Sequence, residues 1–365
     1  MQSFLNELSD IGGTVICYNL DILVDFVKKV KLDFSVIKDI MLLFAVKANS
    51  DLHVLETLVK QGIGMDCASK EEVDLAIRAG SSYVSATGPG FDLNDIRSYC
   101  TQKSCKINFD FDNFSQLKSA DNDFFNADIG IRVKFGESTS RFGLELSDEI
   151  IEYILSHNIT IKRIHFHGEI KNFEVLRMVY QKLFQIICEN PIFKNLEEIN
   201  LGGGFEAFYV HRQEHELVEI IKSLKEKIET YLHHNITVII EPGSLLALPT
   251  GYLKAEVKYV VDSSNYAILN VSAFNLTSWS HVHPIMHNHS YIKKAINGRY
   301  QYLLAGNTCY EDDIFGDFTF CQELMPKDSL ILFPVGAYNF ALIRNLHNAP
   351  PPKIIYYKNG KFVYE

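Results

Sequence analysis

A lysine stands at the end of a short apolar segment, which is an unusual place for a charged side chain. Lys47 closes the run Met41–Lys47 (MLLFAVK). Burying an ammonium group costs free energy unless the group is paired or loses its proton. One interpretation is that the segment ends early and Lys47 reaches solvent. The other is that Lys47 is a nucleophilic amine, able to form a Schiff base with a carbonyl compound or a pyridoxal cofactor.

Other groups follow similar apolar segments and could act together with this amine. They are Asp66, His167, the triplet Gly202–Gly204 and Glu241. Taken singly, the histidine could be a satisfied core residue, the glycines a plain tight turn and Glu241 a capping residue. Taken together, they offer a ring contact, backbone N–H groups for a phosphate and a carboxylate for a pyridinium nitrogen. With an amine, these are the requirements of pyridoxal 5′-phosphate.

Apolar strand-like segments alternate with helix-like segments over about 200 residues, and the groups above stand where strands end. The eight predicted strands are Met41–Lys47, Gly62–Cys67, Tyr83–Thr87, Lys106–Asp110, Asp128–Phe135, Ile161–His167, Glu198–Leu201 and Ile236–Ile240. Their continuous apolar character is typical of strands that are covered on both faces. The pattern predicts an α/β fold with a parallel (β/α)₈ barrel, whose catalytic groups lie at the carboxyl ends of the strands. A doubly wound open sheet is the competing interpretation.

After Pro249 the pattern changes to strands with few helices between them. The predicted strands there are Tyr252–Val261, Tyr266–Asn270, Tyr302–Ala305, Ser329–Phe333 and Lys353–Tyr357. The β-prone segment Thr14–Tyr18 could supply the first strand of this second domain. We therefore expect a barrel domain over residues 20–245 and a mostly β domain formed by residues 1–19 and 246–365.

Composition excludes several classes of function. The chain has 365 residues, of which 47% are hydrophobic and 22% charged, as in an ordinary globular protein of two domains. A net charge of −10 without a basic stripe argues against nucleic acid and anionic membranes as partners. Seven cysteines without a CxxC pair argue against a disulfide framework and a structural zinc site. Without an apolar run near ~18 residues or a signal-peptide pattern at the start, we expect a cytoplasmic protein.

The sequence resembles the pyridoxal-phosphate decarboxylases of the alanine-racemase fold (fold type III), which include ornithine and diaminopimelate decarboxylases. The resemblance covers nearly the whole chain, and the order and spacing of its motifs are specific. These motifs are FAVKANSD (44–51), GMDCASKEEV (64–73), SRFG (140–143), HFHGE (165–169), NLGGGF (200–205), EPGS (241–244), GNTCYEDD (306–313) and PVGAYNF (334–340).

The resemblance implies a pyridoxal-phosphate site built largely from the barrel. Lys47 would carry the cofactor as a Schiff base, and His167 would stack on its ring. Glu241 would pair with the ring nitrogen, and Asp66 would lie near the Schiff base. The phosphate would be held by Gly203, Gly204 and Tyr338.

The resemblance also implies a homodimer in which each active site takes residues from both subunits. Cys309, from the partner subunit, would protonate the carbanion after carbon dioxide leaves. Asp313 would neighbour the substrate, as would Tyr310, which follows the cysteine. The implied function is α-decarboxylation of an amino acid or amino-acid conjugate in a biosynthetic pathway.

The sequence departs from the family in places that bear on substrate. Ser244 stands where the family has an arginine, so it could hydrogen-bond phosphate but brings no charge. Where the family reads His-x-Gly-Ser, this chain reads His167-Gly168-Glu169-Ile170, so the phosphate-facing serine is missing and an inward-pointing Glu169 would be repelled by phosphate. Tyr310 replaces an acidic residue that reads a distal ammonium, and the segment Asn270–Ser280 contains neither aspartate nor arginine. These departures argue against ornithine, lysine or diaminopimelate and favour a conjugated or carrier-tethered amino acid.

Two other functions remain open at this stage. One is an amino-acid racemase on the same fold, which needs two opposed bases; Thr308-Cys309 at the decarboxylase position favours loss of carbon dioxide instead. The other is a non-catalytic homologue that binds the cofactor. A separate feature is the segment His281–His289, with four histidines. Its spacing permits a metal site, but we expect a mobile loop on the substrate side.

Overall fold

The protein is described by a computed structural model over residues 1–100, 105–120, 129–135, 140–168, 170, 172–261, 265–277, 281–292 and 298–364. The chain divides into two compact units. The barrel unit is Phe26–Leu245, and the sheet unit is Met1–Asp25 together with Leu246–Glu365.

The chain begins with helix α1 (Gln2–Asp10) and strand β1 (Val15–Asn19), and the next eight strands form a closed parallel barrel. These strands are β2 (Ile40–Ala45), β3 (Gly64–Cys67), β4 (Tyr83–Thr87), β5 (Lys106–Phe111), β6 (Ile129–Arg132), β7 (Ile161–His165), β8 (Glu198–Asn200) and β9 (Thr237–Ile240). The barrel closes where β2 pairs with β9. The predicted barrel is therefore confirmed, and the open-sheet alternative is wrong.

Helices alternate with the barrel strands. They are α2 (Leu20–Phe34), α3 (Leu52–Lys60), α4 (Lys70–Arg78), α5 (Leu93–Cys100), α6 (Phe114–Ser119), α7 (Asp148–Ser156), α8 (Phe173–Glu189), α9 (Glu206–Val210) and α10 (Glu214–Leu232), with 3₁₀ turns at Val46–Ala48 and Pro191–Phe193. Several begin at a side chain that accepts a hydrogen bond from the first turn, as Asp51 does from the N–H groups of His53 and Val54. Such caps satisfy backbone donors that have no partner inside the helix. In the described part of the chain, none of the helices is both long enough and apolar enough to span a bilayer.

The sheet unit is built on ten paired strands, and the first of them comes from the start of the chain. The others are β10 (Gly251–Val261), β11 (Tyr266–Leu269), β12 (His283–His287), β13 (Ser290–Tyr291), β14 (Tyr300–Ala305), β15 (Ile314–Phe320), β16 (Ser329–Phe333), β17 (Lys353–Lys358) and β18 (Lys361–Tyr364). Strand β1 lies between β10, antiparallel, and β17, parallel. Short helices and 3₁₀ turns complete the unit: α11 (Ser244–Ala247), Leu248–Thr250, α12 (Ala273–Leu276), Phe340–Leu342 and Leu346–Asn348.

One expectation for this unit is wrong. The histidine-rich segment expected to be a loop forms strand β12, which pairs with β16 and buries Met286. Its histidines have separate partners: His287 pairs with Asp328 at 2.7 Å, and His289 pairs with Asp10 at 3.2 Å. Within the described ranges, no three His, Cys, Asp or Glu side chains come together as a metal site would require.

Helix α1 closes the core of the sheet unit. The Phe4 ring contacts three aromatic rings of β10, β17 and β18 at centroid distances of 4.7–5.7 Å, namely Tyr252, Tyr357 and Phe362. Its own helix supplies Leu5 and Leu8, each at most 1% exposed. The first residues of the chain are thus part of the same core as the last strands.

Two glycines allow a close approach between the start of β10 and the segment after β16. A Cβ on Gly336 would overlap the carbonyl oxygen of Ala247, and a Cβ on Gly251 would overlap Gly336. Because the obstructing atoms are backbone, rotation of a side chain could not relieve the clash. This contact sets the path of the chain just before Tyr338.

We predict that Gly336→Ala destabilises the protein by about 1–3 kcal/mol, as overpacking of a tight site does. The measurement is the shift in thermal or urea unfolding. Gly12→Ala is the control, because a Cβ there meets no atom within 4 Å and the backbone needs no positive φ. Equal stability of the two variants would contradict the proposed close approach.

Candidate active site

The groups predicted from the sequence gather at the carboxyl ends of the barrel strands. Lys47 lies in the 3₁₀ turn that follows β2, and its side chain is exposed. Asp66 lies in β3, in register with Ala45 of β2. Glu241 follows β9, and both Glu241 and Lys47 act electrostatically on Asp66. The strand therefore ends before Lys47, and the side chain reaches solvent, as one of the two interpretations of the sequence expected. This exposure leaves the amine accessible at the carboxyl end of the barrel.

Glu241 is buried yet is held in its ionised form. Its side chain is 2% exposed. The Nδ2 of Asn200 donates a hydrogen bond to its Oε1 at 2.5 Å, and the Nε2 of His165 lies 3.6 Å from its Oε2. Burial acts to raise the pKa of this carboxyl, but His165, then His167 and Asn200, hold the pKa well below its usual range.

Asp66 has the opposite protonation state. Burial, followed by the charge of Glu241, raises its pKa to about 8, against smaller opposing effects from Lys47 and His165. Two nearby carboxyl groups that differ in this way share one negative charge at neutral pH. The site therefore contains a carboxylate at Glu241 and a carboxylic acid at Asp66.

His167 lies against the glycine turn after β8. A Cβ on Gly202 would come within 2.9 Å of the His167 Cδ2 atom, and Gly202 has a φ of +66°. Only glycine meets both conditions without strain. Burial, with further effects from Lys47 and His165, lowers the His167 pKa to about 4, so the ring is neutral at physiological pH.

The next two glycines present backbone N–H groups that have no acceptor in the described chain. Gly203 is buried, and a Cβ there would overlap the carbonyl oxygen of Glu241. Gly204 has a φ of +87° and open space where a Cβ would be. Buried N–H groups almost always have a partner, so the Gly203 amide is suited to an anion such as a phosphate, and the exposed Gly204 amide next to it is open to the same anion. Ser244 begins α11 and is partly exposed.

A buried ionic network behind Glu241 was missed by the sequence analysis. The Asp110 carboxylate accepts from Arg163 Nε at 2.6 Å and lies 3.1 Å from His165 Nδ1. Thr87 donates to the same carboxylate at 3.1 Å. Arg163 also donates to Glu198 at 2.9 Å.

The sequence did contain a signal for this network. Residues two apart in a strand point to the same face, so Arg163 and His165 share one face of β7. Asn108 and Asp110 in β5 repeat that spacing. Polar side chains at alternate positions of a barrel strand indicate a charged interior. The sequence analysis named only His167 from this region and not His165 or Arg163.

The sheet unit holds the other predicted residues. Cys309 is exposed, and its N–H donates to His347 Nε2 at 3.1 Å. Tyr310 is also exposed and packs on the Phe274 ring at 4.4 Å. Tyr338 has a φ of +57°, a backbone conformation that is uncommon without glycine and marks a constrained position.

Asp313, predicted from the sequence to neighbour the substrate, is buried within the sheet unit. Its side chain is 2% exposed, and its carboxylate accepts hydrogen bonds from Ser272 Oγ, the Phe274 N–H, the Thr308 N–H and Thr308 Oγ1 at 2.6–3.0 Å. A carboxylate with these donors is satisfied within its own unit. Asp313 instead joins α12 to the loop that carries Cys309.

Some predicted features lie outside the described residues. These are Glu169 and the last three positions of the segment 270–280. In the described part of that segment, Phe274 packs against Arg344, whose guanidinium lies 4.3 Å from the ring centroid.

Comparison with known proteins connects this geometry with a family. The model of the pyridoxal-binding domain of pyridoxal-dependent decarboxylases matches residues 23–248, more than half of the chain. Diaminopimelate decarboxylase of Escherichia coli is 23% identical, over 99% of this chain and 92% of its own. Ornithine decarboxylase of Caenorhabditis elegans is 24% identical, over 86% and 80%.

Solved structures share the fold over the whole chain. Diaminopimelate decarboxylase of M. jannaschii superposes with a TM-score of 0.83 at 19% identity, covering 98% of this chain and 90% of that one. The arginine decarboxylase of Paramecium bursaria Chlorella virus superposes with a TM-score of 0.80 at 19% identity, covering 98% and 100%.

The described residues fit pyridoxal phosphate. Two amides at Gly203 and Gly204 have no protein acceptor and could take a phosphate. The neutral ring of His167 adjoins the same turn. The ionised carboxylate of Glu241 is the partner that a protonated ring nitrogen requires. An accessible amine is present at Lys47.

We predict that Asp66 makes the stability of the cofactor-free protein depend on pH. Folded Asp66 keeps its proton up to about pH 8, whereas an unfolded aspartate releases it near pH ~3.9. The folded state therefore binds more protons between these values, and the stabilisation is lost as pH rises from about 4 to about 8. Asp66→Asn cannot ionise, so this variant should lose less stability than the wild type on that rise.

The measurement is the thermal unfolding midpoint at pH 5 and pH 8.5. We expect the wild type to fall further than Asp66→Asn by at least about 1 kcal/mol, or roughly 1–2 °C for a chain of this length. Glu71→Gln removes an exposed carboxylate on α4 and serves as the control. A pH dependence in Asp66→Asn equal to that of the wild type would show that Asp66 ionises normally.

Proposed function

This chain belongs to the pyridoxal-dependent decarboxylase family, and we propose that it removes the α-carboxylate of an amino acid, or of an amino-acid conjugate, as carbon dioxide. The observation that carries the proposal is the buried Glu241 carboxylate, which His165 and Asn200 hold ionised beside the free amides of Gly203 and Gly204. An ionised Glu241 carboxylate can form an ion pair with the protonated ring nitrogen of a bound pyridoxal cofactor.

The barrel unit provides the proposed cofactor site. Pyridoxal phosphate, when bound, supplies an electron sink for the pair left on the α-carbon as carbon dioxide departs. In the proposed arrangement Lys47 holds the cofactor through its amine. The phosphate is bound by the amides of Gly203 and Gly204, with Ser244 and Tyr338 as hydrogen-bonding partners.

The protonation states of the barrel residues support this assignment. Glu241 stays ionised throughout the physiological range, so it can hold a proton on a pyridine nitrogen. His167 is neutral above about pH 4 and can stack on a ring without repelling its positive charge. Asp66 is protonated below about pH 8 and can donate a hydrogen bond near the amine of Lys47.

We assign proton return to Cys309, acting from a second copy of the chain. The Thr308–Tyr310 turn is held by Asp313 through Thr308 and by His347 through the Cys309 N–H. The thiol itself is exposed. A fixed backbone that presents an exposed thiol suits a donor for an active site in a partner subunit. The proposed assembly is a homodimer.

The surroundings of Tyr310 support a substrate without a free distal ammonium. Tyr310 and Arg344 lie on the same aromatic ring, that of Phe274, at 4.4 and 4.3 Å. The hydrogen bond from Tyr310 to Asp312 raises the Tyr310 pKa, so the phenol remains neutral and engages the nearby carboxylate. A guanidinium beside this cluster disfavours a second cation.

We predict that the enzyme, loaded with cofactor, converts one component of a metabolite extract into a product lighter by one carbon dioxide. Mass spectrometry before and after incubation measures this, and Lys47→Ala is the inactive control. A change of configuration without loss of mass would indicate a racemase. Cofactor binding without any turnover would indicate a non-catalytic homologue.

The same assay tests the substrate class. A lost charge-assisted hydrogen bond of roughly 1.5–3 kcal/mol corresponds to a roughly 10- to 150-fold loss in kcat/KM. We therefore expect ornithine, lysine and diaminopimelate to react that much less efficiently than a conjugated amino acid. Turnover of ornithine or lysine near 10⁴ M⁻¹s⁻¹, about the low end of ordinary enzymes, would contradict the role given to Tyr310.

We predict that two inactive variants complement each other. Lys47→Ala and Cys309→Ala each lack one half of the proposed shared site. Random exchange makes about half of the dimers mixed, each with one intact site, so about a quarter of wild-type activity should return. Cys321→Ala, which removes the other exposed cysteine of the described chain, should stay active alone. No recovery after proven subunit exchange would place Cys309 outside a shared site.

A further inference from the structure

His165 lies between two buried carboxylates. Its Nδ1 is 3.1 Å from Asp110 Oδ2, and its Nε2 is 3.6 Å from Glu241 Oε2. All three side chains are at most 3% exposed. Water therefore has little access to either ring nitrogen, and the two carboxylates are the groups that each nitrogen faces.

The two contacts together decide the charge of the ring. A neutral imidazole has one N–H and one lone pair, so it would present the lone pair to one of the two carboxylates. An imidazolium can donate its Nδ1–H to Asp110 and also faces Glu241 with a charged Nε2–H, at ion-pair rather than hydrogen-bond distance. The charged ring therefore suits both carboxylates at once. Thr87 Oγ1, 3.3 Å from Nδ1, donates to Asp110 and leaves this preference unchanged.

The charges around this ring alternate in sign along the barrel interior. They run from Glu241 through His165, Asp110 and Arg163 to Glu198, and the Arg163 contacts are 2.6 and 2.9 Å long. The other ionisable groups that act on this part of the interior are Lys47, Asp66, Tyr83, Asp112, Arg132 and His167. Asp112 is itself paired with Arg132 at 3.1 Å.

We propose that His165 is a positioning residue, held as an imidazolium between Asp110 and Glu241, which keeps the Glu241 carboxylate ionised and in place for the ring nitrogen of the cofactor. This inference rests on the proposed function in one respect: the ring nitrogen that Glu241 binds is taken to be that of pyridoxal phosphate. His165 acts through Glu241. Asp110 and Arg163 in turn stabilise its charge from behind.

The titration of the ring is consistent with this arrangement. Burial acts to lower the pKa of His165, but Glu241 and Asp110 outweigh it and raise the pKa to about 9. The ring therefore stays charged through the physiological range and loses its proton only in alkaline solution. Its neighbour His167, with a pKa lowered to about 4, is neutral over the same range.

The first test is the protonation state of the ring itself, which does not depend on catalysis. Full-length protein labelled with ¹⁵N-histidine, with and without pyridoxal phosphate, is followed by NMR from pH 6 to pH 10. His165→Gln identifies the resonances, with His165→Asn as a second variant if the first does not fold. We expect both ring nitrogens to be protonated at pH 7.5 and one of the two protons to be lost near pH 9. A neutral ring at pH 7.5 in the loaded protein would overturn the proposal.

The second test asks whether His165 acts through Glu241. The Kd for pyridoxal phosphate is measured for the wild type, His165→Gln, Glu241→Gln and the double variant. We expect His165→Gln to weaken binding by about 10- to 100-fold, the range observed when residues behind metal ligands are removed. In the Glu241→Gln background the further loss should be less than about threefold. Equal losses in both backgrounds would show that His165 does not act through Glu241, and would overturn the proposal.

The two tests separate this inference from the proposed function. An imidazolium at His165 with coupled binding, but no release of carbon dioxide from any substrate, would leave the inference intact and refute the decarboxylase. Decarboxylation by an enzyme whose His165 is neutral would support the proposed function and refute this inference.

Discussion

The interior of the barrel contains carboxylates that water cannot reach, and each must be matched by a cation or carry a proton. Asp110 and Glu241 are nearly inaccessible. An isolated ionised carboxylate in such a place is too costly to persist. Asp110 is paired with Arg163 and His165, and Glu241 is paired with His165. Asp66 instead keeps its proton. The protonation pattern of the candidate active site follows from this one requirement.

The same requirement explains why the site residues differ so much in their titration. His165 and His167 are two residues apart in one strand region, yet the first is charged and the second neutral. Two carboxylates raise the pKa of His165 against burial. At His167, burial together with nearby cations outweighs Glu241 and lowers the pKa. Two identical side chains thus differ in protonation because their neighbours differ. The charged ring of His165 suits its proposed positioning role, and the neutral ring of His167 suits stacking on the cofactor.

In the sheet unit a buried carboxylate has a different function. Among the described residues Asp313 has no cationic partner; it is stabilised by four hydrogen bonds from Ser272, Phe274 and Thr308. Hydrogen bonds to an ionised group are among the stronger ones in proteins. They join α12 to the turn that presents Cys309 and Tyr310. The turn that carries the residues proposed to meet substrate is thus held in place by Asp313.

The sequence alone determined the barrel, most of its strands and the position of Lys47, Asp66, His167 and Glu241 at strand ends. Those features depend on local apolar runs and on glycines, which are visible along the chain. It did not indicate β12, whose histidines and proline resemble a loop and whose pairing with β16 requires the assembled sheet. Only the tertiary structure decided which groups are charged and which carboxylate is structural. Those properties depend on distances between residues far apart in sequence, such as Asp110 and Arg163 or His165 and Glu241.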